Sequence, residues 1–222
     1  MENDKKILIA YWKIRGLIMH VQYVAEYCKA PYETKYYQQG EAPTFDSSCW
    51  FDEKHSLGLD FPNLPYLFDG DFKMSETVPM MVYIAEKFRP EILGENTQEK
   101  ATVSMITAVV HGAKNAVTGP CYQQDDKEKV LEAAWKNFKS LSKYLGDKKF
   151  FLGDKPTLPD FHFTELLNFI EKLDGQGTLK TKYENLHNLR NNVNELAEIK
   201  DFLSSDRCPD LPFNNVCAKV NC

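Results

Sequence analysis

Near residue 89 the hydrophobic pattern of this 222-residue chain changes period, and that change limits the folds open to it. Ahead of it, strand-like runs alternate with stretches of helical spacing. Lys6 to Tyr11 is an apolar, β-leaning run, after which Leu17, Val21, Val24, Ala25 and Cys28 fall at helical intervals. Tyr32 to Tyr37 alternates aromatic and polar residues, as a strand does. Tyr66 to Phe68 and Phe72 to Met74 flank Asp69-Gly70, which reads as a two-residue hairpin turn. Val78, Met81, Val82, Ala85 and Phe88 give a closing helix. Arg89-Pro90-Glu91 then breaks the pattern as a linker. Beyond it, Val103, Ile106, Val110, Ala113 and Val117 recur at steps of three and four. Leu131, Ala134, Phe138, Leu141 and Leu145 do the same, so both stretches predict amphipathic helices. Thr157-Leu158-Pro159-Asp160 reads as a capping box, with Asp160 in the place usual for glutamate, ahead of an apolar helix from Phe161 to Leu173.

The order strand–helix–strand–helix–hairpin–helix builds a mixed four-stranded sheet between helices, a thioredoxin-like arrangement. A run of amphipathic helices builds an all-α unit. The expected fold class is therefore α+β, with a thioredoxin-like domain over residues 1–89 and an all-α domain over residues 90–222.

Bulk properties narrow the function. A net charge of −5 without a basic run argues against nucleic acid, since neutralising phosphates needs a basic stripe. The polar start, Met1-Glu2-Asn3-Asp4-Lys5-Lys6, is no signal peptide, and no apolar run reaches membrane-spanning length. A cytoplasmic protein without membrane partners is expected. The six cysteines, Cys28, Cys49, Cys121, Cys208, Cys217 and Cys222, form no CxxC pair and no zinc spacing. They read as free thiols in a reducing compartment, with no metal site.

Phe61-Pro62-Asn63-Leu64-Pro65-Tyr66-Leu67 carries the functional signal. Pro65 cannot donate to a sheet ladder, so it belongs at a strand start or in a turn, where a cis bond is an option. A backbone held there offers its N–H and C=O groups to an extended peptide. Ser75-Glu76-Thr77 opens a helix, whose free N–H groups attract an anion. Together these describe a site for a small, charged, peptide-like ligand.

The pattern resembles the glutathione site of the cytosolic glutathione transferases, in particular the mu class. Ile7 to Leu17, with Tyr11-Trp12 before Ile14-Arg15-Gly16, is similar to the mu opening. Gly40-Glu41-Ala42-Pro43, Trp50 and Glu53-Lys54 resemble its extended loop, and Leu57 to Leu67 is similar almost residue for residue. The likeness runs on more thinly through Gly94-Glu95, Cys121-Tyr122 and Thr157 to Phe161. It implies an enzyme that conjugates glutathione, as co-substrate, to hydrophobic electrophiles in detoxification, with no other cofactor. It also implies a homodimer in which Phe61 inserts into the helical domain of the partner.

Tyr11 is the expected catalytic residue. A thiol titrates near ~8.5, and lowering that by about two units requires about 2.7 kcal/mol of thiolate stabilisation. A hydrogen bond to a charged group supplies roughly 1.5–3 kcal/mol, so one neutral phenol at a strand end can do most of this. For glutathione itself, Trp12 joins Tyr11. Lys54 and the Trp50 indole suit the glycine carboxylate, with Asn63 at the same end. Leu64, held before Pro65, suits the cysteinyl backbone. Glu76 and Thr77 suit the γ-glutamyl amine and carboxylate. The electrophile pocket is expected between the domains, from Ile14, Leu17, His111, Tyr122 and Phe213. Three positions depart from the mu pattern: Ser47 stands where an arginine is usual, Glu76-Thr77 replaces glutamine-serine, and Gly112 stands where an aspartate is usual. A low-turnover carrier of hydrophobic compounds is the alternative. A redox enzyme of the same fold would need a cysteine where Tyr11 stands.

Overall fold

A computed structural model describes residues 6–222; the polar start at Met1–Lys5 lies outside the described residues. Strand β1 (Ile7–Trp12) is central. It pairs in parallel with β2 (Tyr32–Tyr37) and antiparallel with β3 (Tyr66–Asp69), which pairs antiparallel with β4 (Phe72–Ser75), giving the order β2-β1-β3-β4. Helix α1 (Ile18–Tyr27) crosses between β1 and β2, a short α2 (Ser48–Phe51) lies in the connection to β3, and α3 (Thr77–Phe88) follows the hairpin. Past a 3₁₀ turn at Pro90–Leu93, the helical half runs to Leu203, and the tail after it is irregular. That half comprises α4 (Thr97–Gln123), α5 (Lys127–Leu145), α6 (Leu158–Asp174), α7 (Thr178–Lys182), α8 (Glu184–Asn194) and α9 (Ala197–Leu203). This is the mixed sheet followed by a helical half that the change of period predicts. No helix among the described residues is long and apolar enough to cross a membrane.

The hairpin turn is shifted by one residue from its expected place. Asp69 pairs with Phe72, so the two turn residues are Gly70 and Asp71. Gly70 takes the first turn position with φ of 63°, which a Gly-X hairpin requires and a side chain resists. Asp69 is held in the ladder by side-chain bonds from Tyr83 and Lys87.

Helix α6 is buried along nearly its whole surface, with only Asn168, Glu171 and Lys172 outside the buried set. It starts three residues ahead of the expected Phe161 because the capping box sets its first turn at Leu158-Pro159. Asp160 is buried and accepts from the Phe151 N–H at 2.8 Å and from the Thr157 N–H and hydroxyl, each at 2.8 Å. Helix α1 packs on the sheet with one face and on α6 with another, so its buried residues ring the helix instead of forming a stripe.

At that seam His20 of α1 faces His162 of α6. His20 Nδ1 lies 2.9 Å from the His162 carbonyl, which can only accept, so His20 carries its proton on Nδ1. The His162 Nδ1, 3.1 Å away, must then accept, leaving its proton on Nε2, which is buried without a partner. Burial drives His20 down to about 3, with Lys114 adding to the effect, and holds His162 well below its ordinary value.

Two outcomes follow from this packing. Asp160→Ala orphans two backbone N–H groups and the Thr157 hydroxyl, and urea denaturation should show a loss of about 3 kcal/mol. His20 and His162 are neutral when folded but protonate in the unfolded chain below about pH 6.5. Their contribution is therefore complete above that value and is lost as pH falls through the window down to the depressed folded values. Urea midpoints taken from roughly pH 7 to 5 should show stability falling by up to about 1.4 kcal/mol per pH unit for each imidazole, and leucine at both positions should flatten that slope.

Candidate functional site

Tyr11 is the penultimate residue of β1, where the chain leaves the sheet and turns into α1. It is buried, and the loss of water raises its phenol well above the ordinary value. The Leu17 backbone N–H pulls the other way, and Tyr122 adds to the rise. The hydroxyl is thus a neutral donor at physiological pH. Gly16 makes room for it: a Cβ there would come within 2.7 Å of the Tyr11 ring and 3.1 Å of its oxygen, and its φ of +29° resists a side chain as well. The same Cβ would also meet Ile14 at 2.9 Å, so Ile14 packs beneath this loop.

The loop is gripped from the other half of the chain. The Arg15 N–H donates to the Pro212 carbonyl at 2.8 Å and the Gly16 N–H to the Phe213 carbonyl at 3.0 Å. The Arg15 guanidinium makes two bonds to Glu165 of α6, Nε to Oε1 at 2.8 Å and Nη2 to Oε2 at 2.7 Å. Burial alone would lower the guanidinium; the Glu165 carboxylate holds it above its ordinary value instead. The same guanidinium lies 4.8 Å from the centre of the Phe213 ring.

Because Ala10 pairs with Tyr66 in an antiparallel ladder, Pro65 and Leu64 run alongside Tyr11 and Trp12. Pro65 directly precedes β3, in the expected place, and the Leu64–Pro65 bond is cis. Asn63 ties this segment to the start of α3. Its Nδ2 donates to Glu76 Oε1 at 3.0 Å, and its Oδ1 accepts from the Leu64 N–H at 2.9 Å. A ligand carbonyl taking the Leu64 N–H displaces that amide oxygen. Glu76 has φ of 76° and ψ of 125°, a conformation costing about 1–3 kcal/mol in a non-glycine residue, and leads into buried Thr77 at the first position of α3. The first N–H groups of that helix have no partners within it. Trp50 is buried between Tyr66, stacked at 6.0 Å, and Tyr37 at 5.3 Å. The Lys54 ammonium lies 5.8 Å from the Trp50 ring, and Trp12 meets Tyr37 edge-on at 6.3 Å. Ser47 turns its hydroxyl to the Phe45 carbonyl, and Gly112 is exposed with open space around it.

Between the two halves lies a cavity of about 90 Å³. Tyr11, Leu17, Tyr122 and Phe213 line it, which joins four of the expected residues; Ile14 and His111 lie outside its lining. His111 stacks on His162 at 5.5 Å, its Nδ1 buried and unpartnered. Tyr122 accepts the Asn215 N–H at 3.1 Å, which fixes the tail over the end of α4. The lining also contains Gly16, His20, Lys114 and Glu165, which sequence reading did not single out. One signal was available: His111, Lys114, Thr118 and Tyr122 recur at steps of three and four, a second stripe beside the apolar face of α4. A wider groove of about 630 Å³ runs along β2, where Arg207 is paired with Glu26 and Asp201. Phe61 is 79% exposed, its carbonyl fixed by the Ser75 hydroxyl at 2.7 Å.

Residues 8–86 match the family described as glutathione S-transferase, N-terminal domain, and residues 111–206 match glutathione S-transferase, C-terminal domain. The chain is 33% identical to glutathione S-transferase Mu 5 of Rattus norvegicus over 99% of its length and 97% of that protein. It is equally similar, at 33% and the same coverage, to glutathione S-transferase Mu 3 of Homo sapiens. It is 38% identical to glutathione S-transferase 2 of Gallus gallus over 73% of this chain and 74% of that one. Among solved structures, the transferase Blo t 8 superposes with a TM-score of 0.82 at 25% identity, covering 96% of this chain and 99% of the other. Rat hPGDS complexed with a quinoline superposes at 0.74 and 21% identity, covering 90% of this chain and 96% of that one, a likeness of fold. With both domain families matched in order and mu-class relatives aligned over nearly the full chain, the protein belongs to the glutathione S-transferase family.

Proposed function

We propose that this transferase conjugates glutathione to hydrophobic electrophiles, with Tyr11 holding the sulfur as thiolate. The observation that carries the reading is a buried, neutral phenol that borders the inter-half cavity and runs beside Leu64-Pro65. A thiolate there accepts the Tyr11 O–H, and its sulfur attacks an acceptor carbon lying in the cavity. Leu64 offers its backbone to the cysteinyl unit once the Asn63 oxygen is displaced. Thr77 and the first N–H groups of α3 receive the γ-glutamyl carboxylate, and Glu76 the amine. Trp50, Lys54 and Asn63 take the glycine end, while Trp12 supports the strand end. Leu17, Tyr122 and Phe213 contact the acceptor, with Ile14 and His111 as outer support. In this reading residues 1–89 bind glutathione, and residues 90–222 complete the acceptor pocket. The chemistry uses no resident cofactor or metal. Free thiols such as those here persist in the cytosol, where we place the protein. Nothing in the site favours the carrier alternative.

We further propose a homodimer anchored by Phe61. A side chain this exposed, on a pinned backbone, is an unsatisfied apolar anchor. Val82, Met105 and Val109 are further exposed apolar side chains, on α3 and α4.

Turnover of glutathione with 1-chloro-2,4-dinitrobenzene tests the activity, and Tyr11→Phe tests the mechanism. The variant should lose about 2 kcal/mol of thiolate stabilisation, raising the bound thiol pKa by over a unit while binding glutathione nearly as well. Unchanged turnover together with an unchanged thiolate absorbance titration removes Tyr11 from the mechanism.

For the dimer, sedimentation of Phe61→Ala at micromolar concentration should show weaker association by about 2 kcal/mol or more. A dimer as tight as the parent would place the anchor elsewhere.

A further inference from the structure

Lys114 is the charged group in the cavity lining that lacks a counter-ion. Glu165 also lines the cavity, but both its oxygens are taken by Arg15. Lys114 makes no ion pair among the described residues. Its ammonium donates to the Asn115 amide oxygen at 3.3 Å, at the long end of hydrogen bonding. It stands three residues after His111 and eight before Tyr122 on α4, with Tyr11, Leu17 and Phe213 across the cavity. Partial burial without a carboxylate lowers the amine to about 8. A cation in that condition gains from any anion that enters, because the anion restores what desolvation removed.

We propose that Lys114 is a specificity-determining residue that selects electrophilic acceptors carrying a carboxylate, pairing with it while the reacting carbon faces Tyr11. The inference rests on the reading of the cavity as the acceptor site. The neutral walls, Leu17 and Phe213, take the apolar part. The reaction itself is unchanged: with an aryl chloride the C–S bond forms, the C–Cl bond breaks and chloride leaves.

The test compares two acceptors of nearly the same shape, 4-chloro-3,5-dinitrobenzoate and the corresponding benzamide, of which only the first is charged; the intrinsic difference in their reactivity cancels when wild type and variant are compared. The wild type should prefer the benzoate, with the difference in KM. In Lys114→Met the benzoate-to-benzamide ratio of kcat/KM should fall by about tenfold or more, as expected for one charge-assisted bond, and Lys114→Arg should restore most of it. Calorimetric binding of the two glutathione conjugates to the wild type gives the same comparison without a variant. An unchanged ratio in Lys114→Met, or equal affinity for the two conjugates, overturns the role of Lys114. If the wild type turns over neither acceptor above the uncatalysed rate, the acceptor-site reading falls and takes this inference with it.

Discussion

The bidentate pair between Arg15 and Glu165 is the joint on which the candidate site depends. One partner sits in the loop after β1 and the other on α6, so the pair spans the two halves beside the Tyr11 ring. A buried pair of this kind contributes little net stability against an apolar replacement, because desolvation offsets most of the attraction. Its worth is positional. The planar fork admits one orientation, and that orientation sets the loop in which Gly16 lies against Tyr11. The tail adds its own grip through the Pro212 and Phe213 carbonyls.

That joint also explains the electrical character of the cavity. The Glu165 charge is spent on Arg15, so it leaves no counter-ion for Lys114. The imidazoles at the α1–α6 seam are too deeply buried to ionise near neutrality. A phenol kept neutral by burial and an amine kept short of partners therefore face the same small space. Either group alone is an ordinary feature of a protein interior. Their convergence gives the space one neutral donor and one cation.

Much of this was legible in the chain. The change of period near residue 89 gave the mixed sheet and the helical half, because side chains alternate on a strand and repeat every three or four positions on a helix. The capping box announced α6, and Pro65 announced the entry to β3. Tyr11, Leu64 and Glu76 were legible as a group through the family likeness, since single residues of these types have many structural uses. The hairpin turn slipped by one residue because Asp69 is held in the ladder by Tyr83 and Lys87, which are distant in sequence. The all-round burial of α1 was not legible either. Its stripe records the sheet beneath it, while the second cover comes from α6, about 140 residues later.

Local sequence determined the elements and the cap chemistry, because each depends on spacing over a few residues, while the family resemblance singled out Tyr11. Tertiary structure decided which side chains share a cavity. Ile14 and His111 have the composition of pocket residues but pack elsewhere, beneath the loop and against His162. Lys114 reads as a surface charge, yet the crossing of α1, α4 and α6 places it at the cavity wall. Whether such a lysine meets water or a ligand is set by how helices far apart in the chain cross, and the local pattern does not record that geometry.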